Sequence, residues 1–132
     1  VFRLGEEGKE YITEFGSYGE RPGQFLWPMS IALDKDINVY VTDEYLNRIT
    51  IFNKDGDYLS HWGTNGSGDG ELDRPAGIAI RDDVIFVVDS RNHRVQKFTK
   101  DGRFLLKWGE RGTGDNQFKS PAAIAVDASG NV

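Results

Sequence analysis

The chain has 132 residues, of which 16 are glycine and 12% are aromatic, and this composition favours short strands joined by tight turns within one compact unit. It contains no cysteine, which excludes a disulfide framework and a thiolate metal site. The net charge of −5 opposes the basic footprint that nucleic-acid binding requires.

One sequence unit recurs along the chain at a spacing of roughly 46 residues, a period typical of solenoids and propellers. Residues 23–34, 70–80 and 116–127 align with one another, and each stretch carries a proline followed by alternating apolar residues. The units end on an aromatic residue and a glycine, namely Phe15-Gly16, Trp62-Gly63 and Trp108-Gly109. These aromatic residues are expected to pack between neighbouring units.

Each unit is predicted to contain four short strands, which in the first complete copy lie at 29–33, 39–42, 48–52 and 58–62. The Asp55-Gly56 and Asp101-Gly102 pairs are typical of tight hairpins between the third and fourth strands. The second strands, such as 84–88, are apolar on both faces, which suits a sheet packed between two neighbours. The pattern therefore predicts an all-β fold, a segment of β-propeller built from four-stranded antiparallel blades.

Two short motifs identify the repeat more closely. Asp43 is followed by Asn47-Arg48, and Asp89 by Asn92-His93-Arg94, in units that open on Pro-x-x-Ile-Ala. This combination resembles the NHL repeat family. The resemblance implies a propeller, six-bladed when complete, in which the aspartate and arginine lock the turn between the second and third strands. Asp43 with Arg48, and Asp89 with Arg94, are accordingly expected to form structural ion pairs, the alternative being a charged ligand site.

Alignment of the units predicts two full blades and two half blades. Residues 1–16 would supply the third and fourth strands of one blade, 17–63 and 64–109 two complete blades, and 110–132 the first two strands of another. An open arc would expose apolar blade faces and unpaired edges. We therefore expect either a fragment of a longer protein or a six-bladed ring completed by homodimerisation.

No catalytic residue, metal site or cofactor is predicted. The glycine-rich loops 63–71 and 109–116 lack the Gly-Lys-Ser/Thr ending of a phosphate loop and are interpreted as linkers. Residues 34–38 contain three oxygen ligands with the spacing found at the start of a calcium-binding loop. No suitable glycine or glutamate follows, so a hairpin turn is favoured. His61 and His93 stand at different points of their repeats, which does not suggest a symmetric metal ring.

Loop positions that differ between the copies are the candidates for partner binding, because specificity is usually carried there. We expect them to cluster on the face formed by the loops between blades and the turns between second and third strands. The alternative is that they are merely solvated loop residues. The candidates are Trp27, Tyr45, Arg74, Arg91, His93 and Lys119.

Two functions compete. The first is a non-catalytic module that presents a propeller face to a macromolecule, with protein as the expected partner. The resemblance also permits RNA as a partner, although the net negative charge disfavours it. RNA would be bound by a local basic stripe formed by Arg48, Arg91, Arg94 and Lys97. The alternative is a hydrolase or lyase, similar to six-bladed lactonases or amidating lyases, with a metal in the central channel. No membrane association is expected.

Overall fold

The computed structural model describes residues 2–4, 13–111, 117–118 and 124. These residues are almost entirely β-structure, and the one helical segment among them is a single 3-10 turn, Ser90–Asn92. The strands are β1 (Phe2–Leu4), β2 (Thr13–Phe15), β3 (Ser17–Tyr18), β4 (Gln24–Phe25), β5 (Pro28–Leu33), β6 (Val39–Asp43), β7 (Arg48–Phe52), β8 (Tyr58–Trp62), β9 (Pro75–Arg81), β10 (Val84–Asp89), β11 (Arg94–Thr99), β12 (Phe104–Trp108), β13 (Glu110–Arg111) and β14 (Gln117–Phe118).

Two four-stranded antiparallel sheets form the blades. The first blade has the order β5-β6-β7-β8 and the second the order β9-β10-β11-β12, so that neighbouring strands follow one another in sequence. The four strands predicted for the first blade agree with the observed ones to within one residue at each end. The hairpins between third and fourth strands turn at Gly56 and Gly102, whose φ angles of 88° and 87° are those that glycine adopts without a steric penalty. The chain therefore folds as a segment of a β-propeller.

The main hydrophobic core lies between the two blades. Tyr40 and Ile49 of the first blade pack against Ile78, Val87 and Phe98 of the second. Every residue of β6 is buried, and so is nearly all of β10, as expected for strands covered on both faces. The blades are therefore layers that bury their faces on each other.

Trp62, at the end of β8, also joins the blades. Its ring lies 4.8 Å from that of Phe98, and its Nε1 donates a 3.1 Å hydrogen bond to the carbonyl of Lys100. The indole is thus a packing element between blades, as the sequence analysis expected for the aromatic residue that ends each unit.

A second junction between the blades is ionic. The buried carboxylate of Asp34, just after β5, lies 3.3 Å from Lys100 Nζ of the second blade, which also lies 3.2 Å from Asp83 Oδ1. Asp34 Oδ1 accepts backbone hydrogen bonds from Asp36 and Asn38, each 2.9 Å long. The segment that is spaced like a calcium loop is therefore a hairpin turn organised by Asp34.

One apolar face of the first blade has no cover among the described residues. Met29, Ile31 and Leu33 of β5 are each between 42% and 49% exposed. The corresponding residues of β9 include Ala76 and Ile78, which are 3% and 5% exposed because the first blade covers them. β5 therefore presents the surface on which the inner strands of another blade would pack.

Candidate functional site

The carboxylate of Asp43 holds two loops at one end of the first blade. Its Oδ2 accepts a 2.8 Å hydrogen bond from the backbone N–H of Leu26, and its Oδ1 accepts one of 3.2 Å from Trp27. The same Oδ1 accepts 3.0 Å bonds from the N–H groups of Tyr45 and Leu46. Asp43 is completely buried, so a single side chain fixes both the loop that enters the blade and the turn after β6.

Arg48 clamps the same entering loop from its other side. Its Nη1 donates a 3.0 Å hydrogen bond to the carbonyl of Glu20, and its Nη2 donates bonds of 2.9 and 2.8 Å to those of Arg21 and Gln24. The Nε of Arg48 is buried and has no hydrogen-bond partner among the described residues. The expected direct ion pair between Asp43 and Arg48 is therefore not formed in this part of the chain. Asp43 accepts hydrogen bonds from main-chain N–H groups instead, and Arg48 donates to main-chain carbonyls.

In the second blade, Arg94 both holds the entering loop and forms a direct ion pair, and we call such an arginine with its loop carbonyls a clamp. Arg94 Nε lies 2.7 Å from Asp89 Oδ2, an oxygen that also accepts hydrogen bonds from the side-chain amides of Asn92 and Gln96. Arg94 donates further hydrogen bonds to three loop carbonyls, those of Ser67, Gly68 and Glu71. Both blades thus use an arginine to fix the loop that precedes their first strand.

The loops held by Asp43 and Arg48 carry three exposed aromatic side chains around a cleft of about 640 Å³. Tyr18 is 83% exposed, Tyr45 68% and Trp27 59%. The lining is completed by Gly19, Glu20 and Leu26, and we call this site the aromatic cleft. Electron-rich rings held around an open space can stack on a flat group or surround a cation.

A smaller cleft adjoins the aromatic cleft and shares two of its residues. It is lined by Trp27, Glu44, Tyr45 and Arg74. The backbone supports this arrangement, since the N–H of Glu44 donates to the carbonyl of Trp27 over 3.0 Å and the N–H of Arg74 donates to Asn47 Oδ1 over 2.8 Å. Three of the predicted binding residues, Trp27, Tyr45 and Arg74, therefore lie together.

The remaining predicted binding residues belong to the next blade. Arg91 is exposed on the 3-10 turn, and its N–H donates to the carbonyl of Asp73 over 3.0 Å. His93 follows that turn in a left-handed conformation, with φ of 54°. Lys119 lies outside the described residues. Arg91 and His93 line neither the aromatic cleft nor the smaller one.

Sequence reasoning missed Tyr18, Glu20 and Leu26. The loop that contains Tyr18 and Glu20 corresponds to loops 63–71 and 109–116, which the sequence analysis interprets as linkers. A signal was nevertheless present, because Asn65 and Ser67 stand at the corresponding positions of the next unit. The comparison between copies that singled out Trp27 would have singled out Tyr18 as well.

The basic stripe expected for RNA is not formed by the residues described. Arg48 and Arg94 are buried and donate to main-chain carbonyls. Lys97 Nζ lies 5.9 Å from the centre of the Phe86 ring. Arg91 is the remaining exposed arginine of that group.

Neither histidine belongs to a metal-binding cluster within the described part of the chain. On the outer strand β8, His61 Nδ1 lies 2.7 Å from the hydroxyl of Tyr58, and burial together with the positive charge of Arg48 lowers the pKa of His61. Within residues 2–4, 13–111, 117–118 and 124, no group of three histidine, aspartate or glutamate side chains is arranged to hold a metal ion. Nor do these residues form a helix long and apolar enough to cross a bilayer.

Comparison with known proteins agrees with this architecture. Residues 72–98 match the model of the NHL repeat. RING finger protein nhl-1 of Caenorhabditis elegans is 35% identical over 65 residues, and Protein brain tumor of Drosophila melanogaster is 33% identical over 70 residues. The matches cover 49% and 53% of this chain but only 7% of each relative.

Solved structures with the same fold include a streptogramin B lyase, with a TM-score of 0.58 and 17% identity, which covers 78% of this chain and 32% of that one. A virginiamycin B lyase from Staphylococcus aureus has the same TM-score and identity, and covers 79% and 32%. Hydrazine synthase of Kuenenia stuttgartiensis has a TM-score of 0.60 at 11% identity and covers 96% and 31%. At these identities the likeness is one of fold. Together with the match over 72–98, it shows that the chain is a β-propeller segment that contains an NHL repeat.

Proposed function

We propose that this chain is a non-catalytic interaction module that binds a protein through the end of the blades where the aromatic cleft lies. One observation carries the proposal, namely that three exposed aromatic side chains surround a single cleft on loops fixed by buried charged groups. Aromatic residues are enriched at the centres of protein interfaces, and loops that are already ordered lose little entropy on binding.

The second blade supplies an internal comparison. Asn65, Arg74 and Arg91 occupy the positions that correspond to Tyr18, Trp27 and Tyr45. The loop that enters the second blade still closes in the same way, with Gly66 N–H donating to the carbonyl of Leu72 as Gly19 N–H donates to that of Phe25. The three aromatic residues are therefore dispensable for the repeat fold. Their exposure is better explained by contact with a partner.

Protein is preferred to RNA as the partner. The aromatic cleft offers rings on which bases could stack, but Glu20 lines it and Glu44 lines the adjoining cleft. Carboxylates repel a phosphate backbone, and the arginines Arg48 and Arg94 are already engaged inside the blades.

A second copy is proposed as the cover of the apolar face formed by Met29, Ile31 and Leu33, so that a six-bladed ring is completed by homodimerisation. Static light scattering of the purified chain tests this part, and a mass twice that of one chain is expected. A stable monomer with this face in solvent would overturn the dimer and leave the binding function untouched.

The hydrolase or lyase alternative has less support. The two lyases are similar to this chain in fold, at 17% identity. Among the residues that the structure describes, no group of three histidine, aspartate or glutamate side chains is arranged to hold the metal that such a site would need. A metal analysis of the purified protein is the direct test, and stoichiometric metal with loss of binding on its removal would favour the alternative.

The binding function is tested by placing a photoreactive phenylalanine analogue at Tyr45 and, in a separate variant, at Leu106 on the outer strand β12, which is also exposed. Irradiation in cells that express the protein should give a discrete cross-linked adduct from position 45 and none from position 106. Adducts of equal yield from both positions, or from neither, would refute the proposed interface.

A further inference from the structure

We infer that the aromatic cleft binds a lysine or arginine side chain presented by a segment of the partner protein. This inference rests on the proposed binding function and names the chemistry that the cleft recognises. It concerns the space enclosed by Tyr18, Trp27 and Tyr45, with Glu20 at its edge.

The rings provide the first argument. Tryptophan and tyrosine faces carry negative electrostatic potential and attract a cation that lies within about 6 Å of the ring centre. No cation occupies the three cleft rings among the described residues: the cation-ring contact found elsewhere joins Lys97 to Phe86. The rings are thus available to a cation from outside.

Charge provides the second argument. Glu20 is the charged residue among those that line the aromatic cleft, and Glu44 faces the adjoining one together with Arg74. Within the described residues, neither Glu20 nor Glu44 forms an ion pair, whereas the carboxylates that are paired there include those of Asp34, Asp69, Asp82, Asp83 and Asp89. A positively charged guest would therefore meet an uncompensated carboxylate beside the rings, and the net charge of −5 would speed its approach.

Preorganisation provides the third argument. The main-chain N–H groups of Trp27 and Tyr45 both bond to Asp43 Oδ1, and Arg48 holds the carbonyl of Glu20. The backbones that carry two rings and the carboxylate are thus fixed by two buried charged side chains. A guest does not have to order these loops, so a single cation can be recognised at modest cost.

A segment of protein fits the site better than a small quaternary amine would. The cleft is open rather than enclosed, and Leu26 contributes an apolar wall beside the rings. Lysine and arginine carry an apolar stem below the charged group, which can lie against Leu26 while the charge faces the rings and Glu20.

The test uses four synthetic peptides that differ at one central position, which is lysine, arginine, norleucine or glutamate. Binding to the full chain is followed by fluorescence anisotropy of labelled peptides, a readout that does not depend on any residue of the cleft. The lysine or arginine peptide should bind at least about fivefold more tightly than the norleucine peptide, and the glutamate peptide should not bind measurably. Equal affinity for norleucine and the cationic peptides would overturn the inference.

Two variants and one matched control sharpen this result. Trp27→Ala should abolish the preference for a cation, and Glu20→Gln should weaken binding of the cationic peptides while leaving that of the norleucine peptide unchanged. Leu106→Ala, on an outer strand, should change neither. If Glu20→Gln leaves all four affinities unchanged, the charge argument is wrong.

A further readout separates cation binding from simple apolar contact. Fluorinated tryptophan weakens the negative potential of the ring without removing its surface, so it should reduce affinity for the lysine peptide but not for norleucine. An oligouridine that displaces the lysine peptide at physiological salt would instead identify RNA as the ligand and refute the inference. If none of the peptides binds but position 45 still gives a cross-linked adduct, the proposed binding function stands and only the inference of a cationic guest is refuted.

Discussion

Arg94 Nε lies 2.7 Å from Asp89 Oδ2, and the two side chains are 7% and 0% exposed. The pair is therefore removed from water at the point where the second blade meets the loop that enters it. Removing one partner from such a pair leaves the other charge buried and uncompensated, which costs far more than an exposed ion pair contributes.

The substitution Asp89→Asn should lower the free energy of unfolding by about 3 to 5 kcal/mol, because Arg94 keeps its charge and loses its counter-charge. Urea denaturation followed by circular dichroism measures the change. Asp36→Asn, at an exposed carboxylate of a hairpin turn, is the matched control and should change stability by less than about 0.5 kcal/mol. A loss at position 89 no larger than that of the control would show that the pair contributes nothing.

Two buried threonines of the first blade should respond in opposite directions to replacement by valine. Thr50 Oγ1 is buried without a hydrogen-bond partner among the described residues, so Thr50→Val removes an unsatisfied group and should stabilise the fold by about 1 kcal/mol. Thr42 Oγ1 donates a 2.7 Å hydrogen bond to the carbonyl of Ala76 and accepts one from Ser30, so Thr42→Val should destabilise by about 1 to 3 kcal/mol.

Thermal and urea unfolding of the two variants, each compared with the parent chain, measures this difference. Both positions are fully buried and undergo the same chemical change, so each serves as the control of the other. Destabilisation by Thr50→Val would contradict the prediction and point to a buried water on its hydroxyl.

Gly102 lies against Trp62 across the junction between the blades. Its φ is +87°, and a Cβ atom added there would stand 2.5 Å from two atoms of the indole. We expect Gly102→Ala to destabilise the chain by about 3 kcal/mol or more, from backbone strain and from the clash together.

A double-mutant cycle separates the two causes. In a Trp62→Ala background the clash is gone, and Gly102→Ala should cost only the backbone strain of about 1 to 2 kcal/mol. Equal costs in both backgrounds would show that the indole does not limit the space at position 102. Unfolding by urea supplies all four free energies.

The cluster of Tyr40, Asp34 and Lys100 makes stability sensitive to high pH. Burial, together with the negative charge of Asp34, raises the pKa of Tyr40 to about 12. Burial alone would lower the pKa of Lys100, but hydrogen bonds to Asp83 and Asp34 hold it above its ordinary value. For both groups the protonated form is favoured in the folded state, so their contribution is complete below pH 10 and is lost as the pH rises toward 12.

The free energy of unfolding should therefore fall between pH 10 and 12, and Tyr40→Phe should make that fall less steep. Urea denaturation at closely spaced pH values measures the slope, and absorbance at 295 nm should show one tyrosine that ionises near pH 12 and is absent from Tyr40→Phe. Tyr58→Phe, on an exposed strand, is the control. An unchanged slope in Tyr40→Phe would contradict the assignment.

The blades could be predicted from the sequence because strand and turn signals agree with one another. Strands 39–42 and 48–52 are bounded by Asp, Asn and Gly residues, and the Asp55-Gly56 pair fixes the hairpin that follows. The recurring unit then determines how many such strands belong together. These are local properties, which a single sequence displays directly.

The connections of the clamps could not be predicted in the same way. Asp43 and Arg48 stand five residues apart and bracket a turn, which suggested a direct pair, but their partners are main-chain atoms, most of them 16 to 28 residues earlier in the chain. Backbone partners carry no side-chain signature, so nothing in the sequence distinguishes this arrangement from that of Asp89 and Arg94. Tyr18 was overlooked for a related reason. Its glycine-rich surroundings are typical of a flexible linker, and the sequence does not show that Arg48 holds this loop.

The use of main-chain atoms by Asp43 and Arg48 has a consequence for how such a protein can change. A peptide N–H or carbonyl is present whichever side chain the residue bears, proline N–H excepted, so most replacements at 18, 27 or 45 leave the clamp intact. The side chains of these residues are thus free to serve recognition, because the fold depends on their main-chain atoms. A lineage could acquire a new target by successive single replacements, one blade at a time, with a stable fold at every step.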